Sequence, residues 1–189
     1  MAARYKKSRK RLGGKRKKPP KNFQIYLDEN LQRCEPILSV LRSNGIITHQ
    51  HFRYFPKAGT EDSVWMPLVG EQNWILLTKD GRLRFNELER LTLIHYRMKV
   101  FEFSNKTQGG PAMAKALQAG LRRIIRLSSS LRAPFVCMIS PNGHSQLHWR
   151  PKRSEIRRAE RIQWPEVKVR LRGKETATIK TAIHLPPEV

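Results

Sequence analysis

A chain of 189 residues with 39% hydrophobic side chains can build one domain around a packed core and carry tails besides. Its 38 Lys and Arg against 15 Asp and Glu give a net charge of +23, which points to a polyanionic partner, since each neutralised phosphate releases counterions. No membrane-length apolar run, signal-peptide core or zinc-type cysteine spacing is present, so a soluble protein of the reducing cytoplasm is expected.

Residues 1–21 hold eleven Lys and Arg and no acid, broken by Gly13-Gly14 and Pro19-Pro20. Such a segment cannot bury a core, so residues 1–22 read as a basic arm that is disordered when free. Lys15, Arg16, Lys17 and Lys18 are its densest cluster and the candidates for contact with a nucleic-acid backbone. Phe23–Leu27 reads as a buried strand that hands over abruptly to Asp28-Glu29. A helical stripe of Leu31, Cys34, Ile37, Leu38 and Leu41 runs to Ser43, with Pro36 awkward unless it lies in the first turns. Gly45 suits the end of that helix, and residues 46–50 read as a second strand.

A polar and aromatic loop then leads to a helix starting near Glu61-Asp62, with Trp65, Leu68 and Val69 inward. Trp74–Thr78 is a clear strand ending at Lys79-Asp80-Gly81, and Asn86 caps a helix to about Tyr96. Val100–Phe103 is a short strand. Gly109-Gly110-Pro111 opens a long helix to about Leu127, because proline suits a first helical position. Phe135–Ile139 is a fifth strand, and Asn142-Gly143 predicts that Ser145–Trp149 folds back antiparallel to it. Beyond Arg150 the sequence suggests a basic helix over residues 154–162, a strand over 167–171 and an irregular end. The alternation predicts an α/β fold: a mostly parallel central sheet with helices on both faces and a C-terminal hairpin. The expected divisions are an arm (1–22), a domain (23–149) and a basic extension (150–189).

Asp28 follows the first strand, Asp80 follows the third, and Asp62 begins the helix between the second and third. All three belong to the carboxyl edge of the sheet, where open α/β sheets bind ligands. Carboxylates gathered there repel one another unless a cation intervenes, and oxygen-only ligands suit Mg²⁺ or Mn²⁺. Beside basic arms, that combination suggests hydrolysis of a phosphodiester. Singly, Asp80 before Gly81 could shape a turn and Asp62 could sit at a helix start for its dipole, so the joint placement carries the reading. Lys79, Arg82 and Arg84 flank Asp80 and could hold a phosphate backbone or form a solvated face. His49 and His51, lacking a third ligand, read as structural. Trp149 and Trp164 read as packed rather than base-stacking.

Leu27-Asp28-Glu29-Asn30-Leu31, Gly59-Thr60-Glu61-Asp62-Ser63-Val64-Trp65, and Leu77 to Arg84 with Asn86-Glu87-Leu88-Glu89 together resemble a PIN-like domain. The resemblance spans about residues 23–149 and is nearest to PIN-like toxin nucleases of prokaryotic toxin–antitoxin pairs. It implies a three-layer α/β/α fold and a metal-dependent ribonuclease with RNA as substrate. Asp28, Asp62 and Asp80 would be its catalytic and metal-binding acids, with one or two Mg²⁺ or Mn²⁺ ions. A cognate antitoxin would be a partner, and the resemblance leaves room for a homodimer. Spacing to Trp65 favours Asp62 over Glu61 in the central position. The family's frequent fourth acid has candidates in Glu61, Glu87, Glu89 and Glu102, and the long basic ends fall outside the family pattern.

Two rivals stand beside this reading. A non-catalytic RNA- or ribosome-binding protein could use the same scaffold. A phospho-accepting signalling domain would share Asp28, Asp80 and Ser104, but needs a lysine after the fifth strand, where Ser140-Pro141 stands.

Overall fold

The computed structural model describes residues 19–20, 23–104, 109–164, 166–170 and 176–180. Lys15, Arg16, Lys17 and Lys18, with nearly all of the expected arm, lie outside the described residues.

Six strands form the central sheet: β1 (Gln24–Leu27), β2 (Ile47–Gln50), β3 (Ile75–Thr78), β4 (Lys99–Phe103), β5 (Phe135–Ile139) and β6 (Ser145–Trp149). Their order is β2-β1-β3-β4-β5-β6. Every neighbouring pair is parallel except β5 with β6, the hairpin that Asn142-Gly143 predicts. Among the described residues, five α-helices complete the architecture: α1 (Glu35–Ser43), α2 (Asp62–Glu71), α3 (Glu87–His95), α4 (Gly110–Ser130) and α5 (Arg153–Arg161).

The two-residue period of the strands divides the core cleanly. Ile25, Leu27, Ile75, Leu77, Phe101, Phe103, Phe135 and Cys137 face one side, where Ile37 and Leu41 of α1 and Leu117, Leu121 and Ile124 of α4 cover them. Tyr26, Leu76, Val100 and Val136 face the other side, against Trp65, Met66 and Val69 of α2 and Leu93 of α3. Both faces are therefore buried, which is why the inner strands read as continuous apolar runs. Tyr26 lies stacked with Trp65 and Trp74 at centroid distances of 5.5 and 6.0 Å. Its hydroxyl meets Nδ1 of His51 at 2.9 Å, which gives the buried phenol a polar partner. Cys34 and Cys137 are free.

Local chemistry sets the boundaries. The expected helix from Leu31 starts later, at Glu35, because Pro36 lies in its first turn while residues 29–33 form turns. The Asn86 side chain accepts the N–H groups of Leu88 and Glu89 and so fixes the start of α3. Gly120 of α4 packs against the hairpin so closely that a β-carbon there would stand 2.3 Å from the Gly143 carbonyl oxygen.

Beyond Trp149 the structure departs from the expected extension. Helix α5 packs on α3 through Leu91, Ile94, Ala159, Ile162 and Trp164, and residues 150–164 thus join the folded body. Two ion pairs, Arg158–Glu87 at 2.5 Å and Arg90–Glu155 at 3.0 Å, run along this seam. The end is not irregular throughout either: β7 (Glu166–Arg170) and β8 (Thr176–Lys180) pair antiparallel in a second, two-stranded sheet. Helix α5 matches the basic helix expected over residues 154–162; its docking on α3 is not legible in the sequence, because most of its residues are charged and only Ile156 and Ala159 are apolar. Among the described residues no helix is long and apolar enough to cross a membrane.

Gly120→Ala should force α4 and the β5–β6 turn apart. We expect a loss of about 2 kcal/mol and a melting temperature lower by roughly 5 °C, read by calorimetry or circular dichroism.

Candidate active site at the carboxyl edge of the sheet

Strand β1 lies between β2 and β3, so the chain leaves β1 on one side and returns on the other. That reversal opens a crevice at the carboxyl ends of β1 and β3. Asp28 is the first residue past β1. Its main-chain carbonyl accepts the N–H groups of Leu31 at 3.1 Å and Gln32 at 2.9 Å, and its side-chain Oδ1 accepts Leu31 N–H at 2.9 Å. The turn thus pins the carboxylate at the crevice, where it is only 5% exposed.

Thr78, the last residue of β3, joins the two strand ends. Its hydroxyl donates to Oδ2 of Asp28 at 2.5 Å and accepts the Asp80 N–H at 2.8 Å. Burial pushes the Asp28 carboxyl up to about 6; the Thr78 and Leu31 hydrogen bonds oppose this, while Asp62 and Asp80 add to it. Asp62 opens α2, and its Oδ1 accepts Nε1–H of Trp65 at 2.9 Å. Burial raises it too, with the Trp65 bond opposing and Asp80 adding. Asp80 receives Arg82 twice over, from the main-chain N–H at 2.9 Å and from the guanidinium at 3.2 Å.

Among the four candidates for a further acid, Glu89 is the one whose carboxyl is shifted by the charges of Asp62 and Asp80. Burial, then the fields of Asp62 and Asp80, push its carboxyl up to about 7, with Arg82 opposing. Glu61 is exposed and meets Ser63, Glu87 pairs with Arg158, and Glu102 is buried against Arg84. Asp28, Asp62, Asp80 and Glu89 therefore share one electrostatic field at one edge. Glu29 joins its rim, accepting the Gly59 N–H from the loop before α2 at 3.0 Å.

The flanking cations are arranged unequally. Lys79 is half-buried, and the Arg82 side chain is 77% exposed while holding Asp80. Arg84 turns inward, with its charge neutralised by Glu102 and its guanidinium 4.5 Å from the ring centroid of Phe85. Phe85 itself is 69% exposed, a lone aromatic ring between the acids and the Asn86 cap. Neither Phe85 nor Thr78 stands out in the sequence. The available signals were a polar residue closing an apolar strand and an aromatic set among cations. His49 bonds Gln24 at 2.7 Å and Tyr54 at 2.6 Å, and burial lowers it to about 4; His51 is lowered by burial as well. Trp164 stacks on His95 and donates to the Ala159 carbonyl, and Trp149 packs against two apolar clusters.

Among the described residues, no group of three or more His, Cys, Asp or Glu side chains is disposed to hold a metal ion. The acids share a field without forming a ready cage. Both Asp28 oxygens accept hydrogen bonds, and Arg82 stands where a cation would meet Asp80. The donor set itself fits a hard divalent ion: all oxygen and partly buried, with Asp28, Asp62 and Glu89 raised above ordinary carboxylate values chiefly by burial and further by one another's charge and that of Asp80.

Comparison with known families adds an independent observation. Residues 23–105 match the model of a family described as a PIN-like domain. Over this stretch the chain is similar to a PIN-like domain. The match begins at the residue before β1 and ends just after β4, so it contains Asp28, Asp62, Asp80 and Glu89. PIN-like domains are generally nucleases. Comparison with curated proteins and with solved structures gives no match.

A carboxyl with a folded-state value above its ordinary 3.8 holds its proton more tightly when folded, so its contribution to stability falls as pH rises from about 4 to above 6. Asp28→Asn keeps the shape and an acceptor oxygen but removes the charge. In the metal-free protein it should melt near wild type at pH 4 and above wild type at pH 8, by at most about 3 kcal/mol. His49 and His51 act with the opposite sign, so the comparison with wild type at each pH isolates Asp28.

Proposed function

We propose that the protein is a metal-dependent ribonuclease. The observation that supports this is the meeting of Asp28 and Asp80 on the Thr78 hydroxyl past β1 and β3, with Asp62 and Glu89 both within the field of Asp80 and Arg82 paired to Asp80. Asp28 and Asp80 would hold a Mg²⁺ or Mn²⁺ ion, with Asp62 and Glu89 around it. Such an ion lowers the pKa of a bound water and stabilises the charge of an in-line displacement at phosphorus.

The chain's own groups supply the rest. Arg82, exposed and able to swing outward, releases Asp80 and becomes a phosphate contact. Lys79 stands on the same edge. Glu89, with a carboxyl value near neutral pH, suits the taking and returning of a proton. Phe85 offers one ring face for an unpaired base while Arg84, fixed by Glu102, supports the ring, which favours single-stranded RNA. The basic arm adds affinity without sequence preference. Motif likeness extends the proposal to a toxin held by a cognate antitoxin in the cytoplasm; co-expression with a neighbouring gene product that restores growth tests that extension.

The place of Arg82 on Asp80 favours one alternative, a non-catalytic RNA-binding protein in which the guanidinium permanently neutralises the acids. A cleavage assay separates the two. With Mg²⁺ or Mn²⁺ the wild-type protein should cut single-stranded RNA, and EDTA should stop it. Asp28→Asn and Asp80→Asn should each lose roughly 10³-fold or more in rate while still binding RNA. RNA binding indifferent to EDTA, without cleavage under any metal, would establish the alternative.

Phe85→Ala should weaken single-stranded RNA binding about tenfold, while Phe85→Trp preserves it. Duplex RNA of the same length should show no such difference in a filter-binding or anisotropy titration.

A further inference from the structure

At the amino edge of the sheet, opposite the acids, lies a cleft of about 560 Å³. The starts of β1, β3 and β4 form its floor, and the ends of α2, α3 and α4 its walls. Arg97, Lys99 and Arg132 line it, together with Asn73, Tyr96 and Ser129; no carboxylate is among its lining residues. The volume falls in the range of small-molecule sites.

Three observations set this cleft apart from an ordinary basic surface. Among the described residues, none of the three cations has an ion-pair or hydrogen-bond partner. Lys99 is half-buried at the first position of β4, and burial alone lowers its pKa, so a charged group stands partly desolvated with nothing opposite it. Arg97 adopts φ +50° just after α3, the left-handed position that helix ends normally give to glycine. An arginine there costs of order 1 kcal/mol of backbone strain. The converging helix ends do bring partial negative charge, about half an elementary charge each. Three full cations exceed it, and the cleft stays positive.

We propose that this cleft is a second binding site, specific for a phosphate group at nucleotide scale and held by Arg97, Lys99 and Arg132. Tyr96 provides an aromatic wall for the attached base. The phosphate belongs either to a free nucleotide or to an RNA chain. Pro20 and Phe23, the described residues just before β1, also line the cleft. The proposal is independent of the nuclease reading, since it uses none of the acids.

The test uses the full-length protein in EDTA. Backbone amide signals of Gly70, Asn73 and Lys99 are followed in titrations with inorganic phosphate, a nucleoside 5′-monophosphate and a short single-stranded oligoribonucleotide. These local signals ignore nonspecific binding to the arm. Saturable shifts are expected, with Arg97→Gln and Arg132→Gln each weakening binding roughly tenfold and the Arg97/Lys99/Arg132 triple Gln variant abolishing it. Tighter binding of the monophosphate than of phosphate assigns the site to free nucleotides; tighter binding of the oligonucleotide assigns it to RNA. No saturable shift with any ligand, or shifts retained in the triple variant, would overturn the proposal. Lys99→Met adds a check on folding: its ligand-free melting temperature should equal or exceed wild type while the phosphate response is lost. A lower melting temperature would mark Lys99 as a helix-end support and remove it from the site. Asp80→Asn should leave every one of these shifts unchanged.

Discussion

One short hydrogen bond organises the carboxyl edge of this protein: the Thr78 hydroxyl to the Asp28 carboxylate. A carboxylate that is 5% exposed is tolerated only if its oxygens are bonded, and here both are. Because the same threonine oxygen accepts the Asp80 N–H, two strand ends that meet only through the parallel pairing of β1 with β3 are locked in register at their tips. The arrangement holds negative charge close together against its own repulsion. It persists because the apolar layers on both faces of the sheet fix the strands regardless of what their ends carry.

Much of this was legible in the residues. Apolar runs that stop at Asp28 and at Lys79-Asp80 gave the strand ends. Asn86 gave a helix start through its side-chain oxygen, Pro111 another through its fixed φ, and Asn142-Gly143 the hairpin. Each of these is a local rule, and local rules can be read from sequence. The three aspartates were placed on one edge by topology alone. Their arrangement was not legible, because the roles of Thr78 and Arg82 depend on which oxygen each side chain reaches after the strands have paired. The choice of Glu89 among four acids likewise depends on the turn of α3 relative to α2. Helix α5 was read as an appendage because its charged sequence hides the few apolar contacts it makes on α3.

The sheet therefore has two chemically opposite edges. Parallel strands gather helix starts at one edge and helix ends at the other, so anions and cations would be expected at each in turn. This chain follows that rule at both edges. It crowds acids beside the start of α2 and the first turn of α3, and it sets Arg97, Lys99 and Arg132 in the cleft where helices finish. At the acidic edge, burial and mutual repulsion raise the carboxyl values of Asp28, Asp62 and Glu89. At the cleft, burial lowers that of Lys99. Both shifts are the physical mark of charge set where the surroundings disfavour it.

The seam between α3 and α5 bears on how this protein should be handled. Glu89 is carried by α3, and α3 is braced from behind by Arg158 on Glu87 and by Glu155 on Arg90. A fragment cut to the length of the family match, or even at Trp149, would strip that brace and bare Leu91 and Ile94 to water. Recombinant work on the isolated domain would then deal with a stickier object whose acidic rim has lost one wall. The minimal unit that keeps the rim intact reaches at least to Trp164.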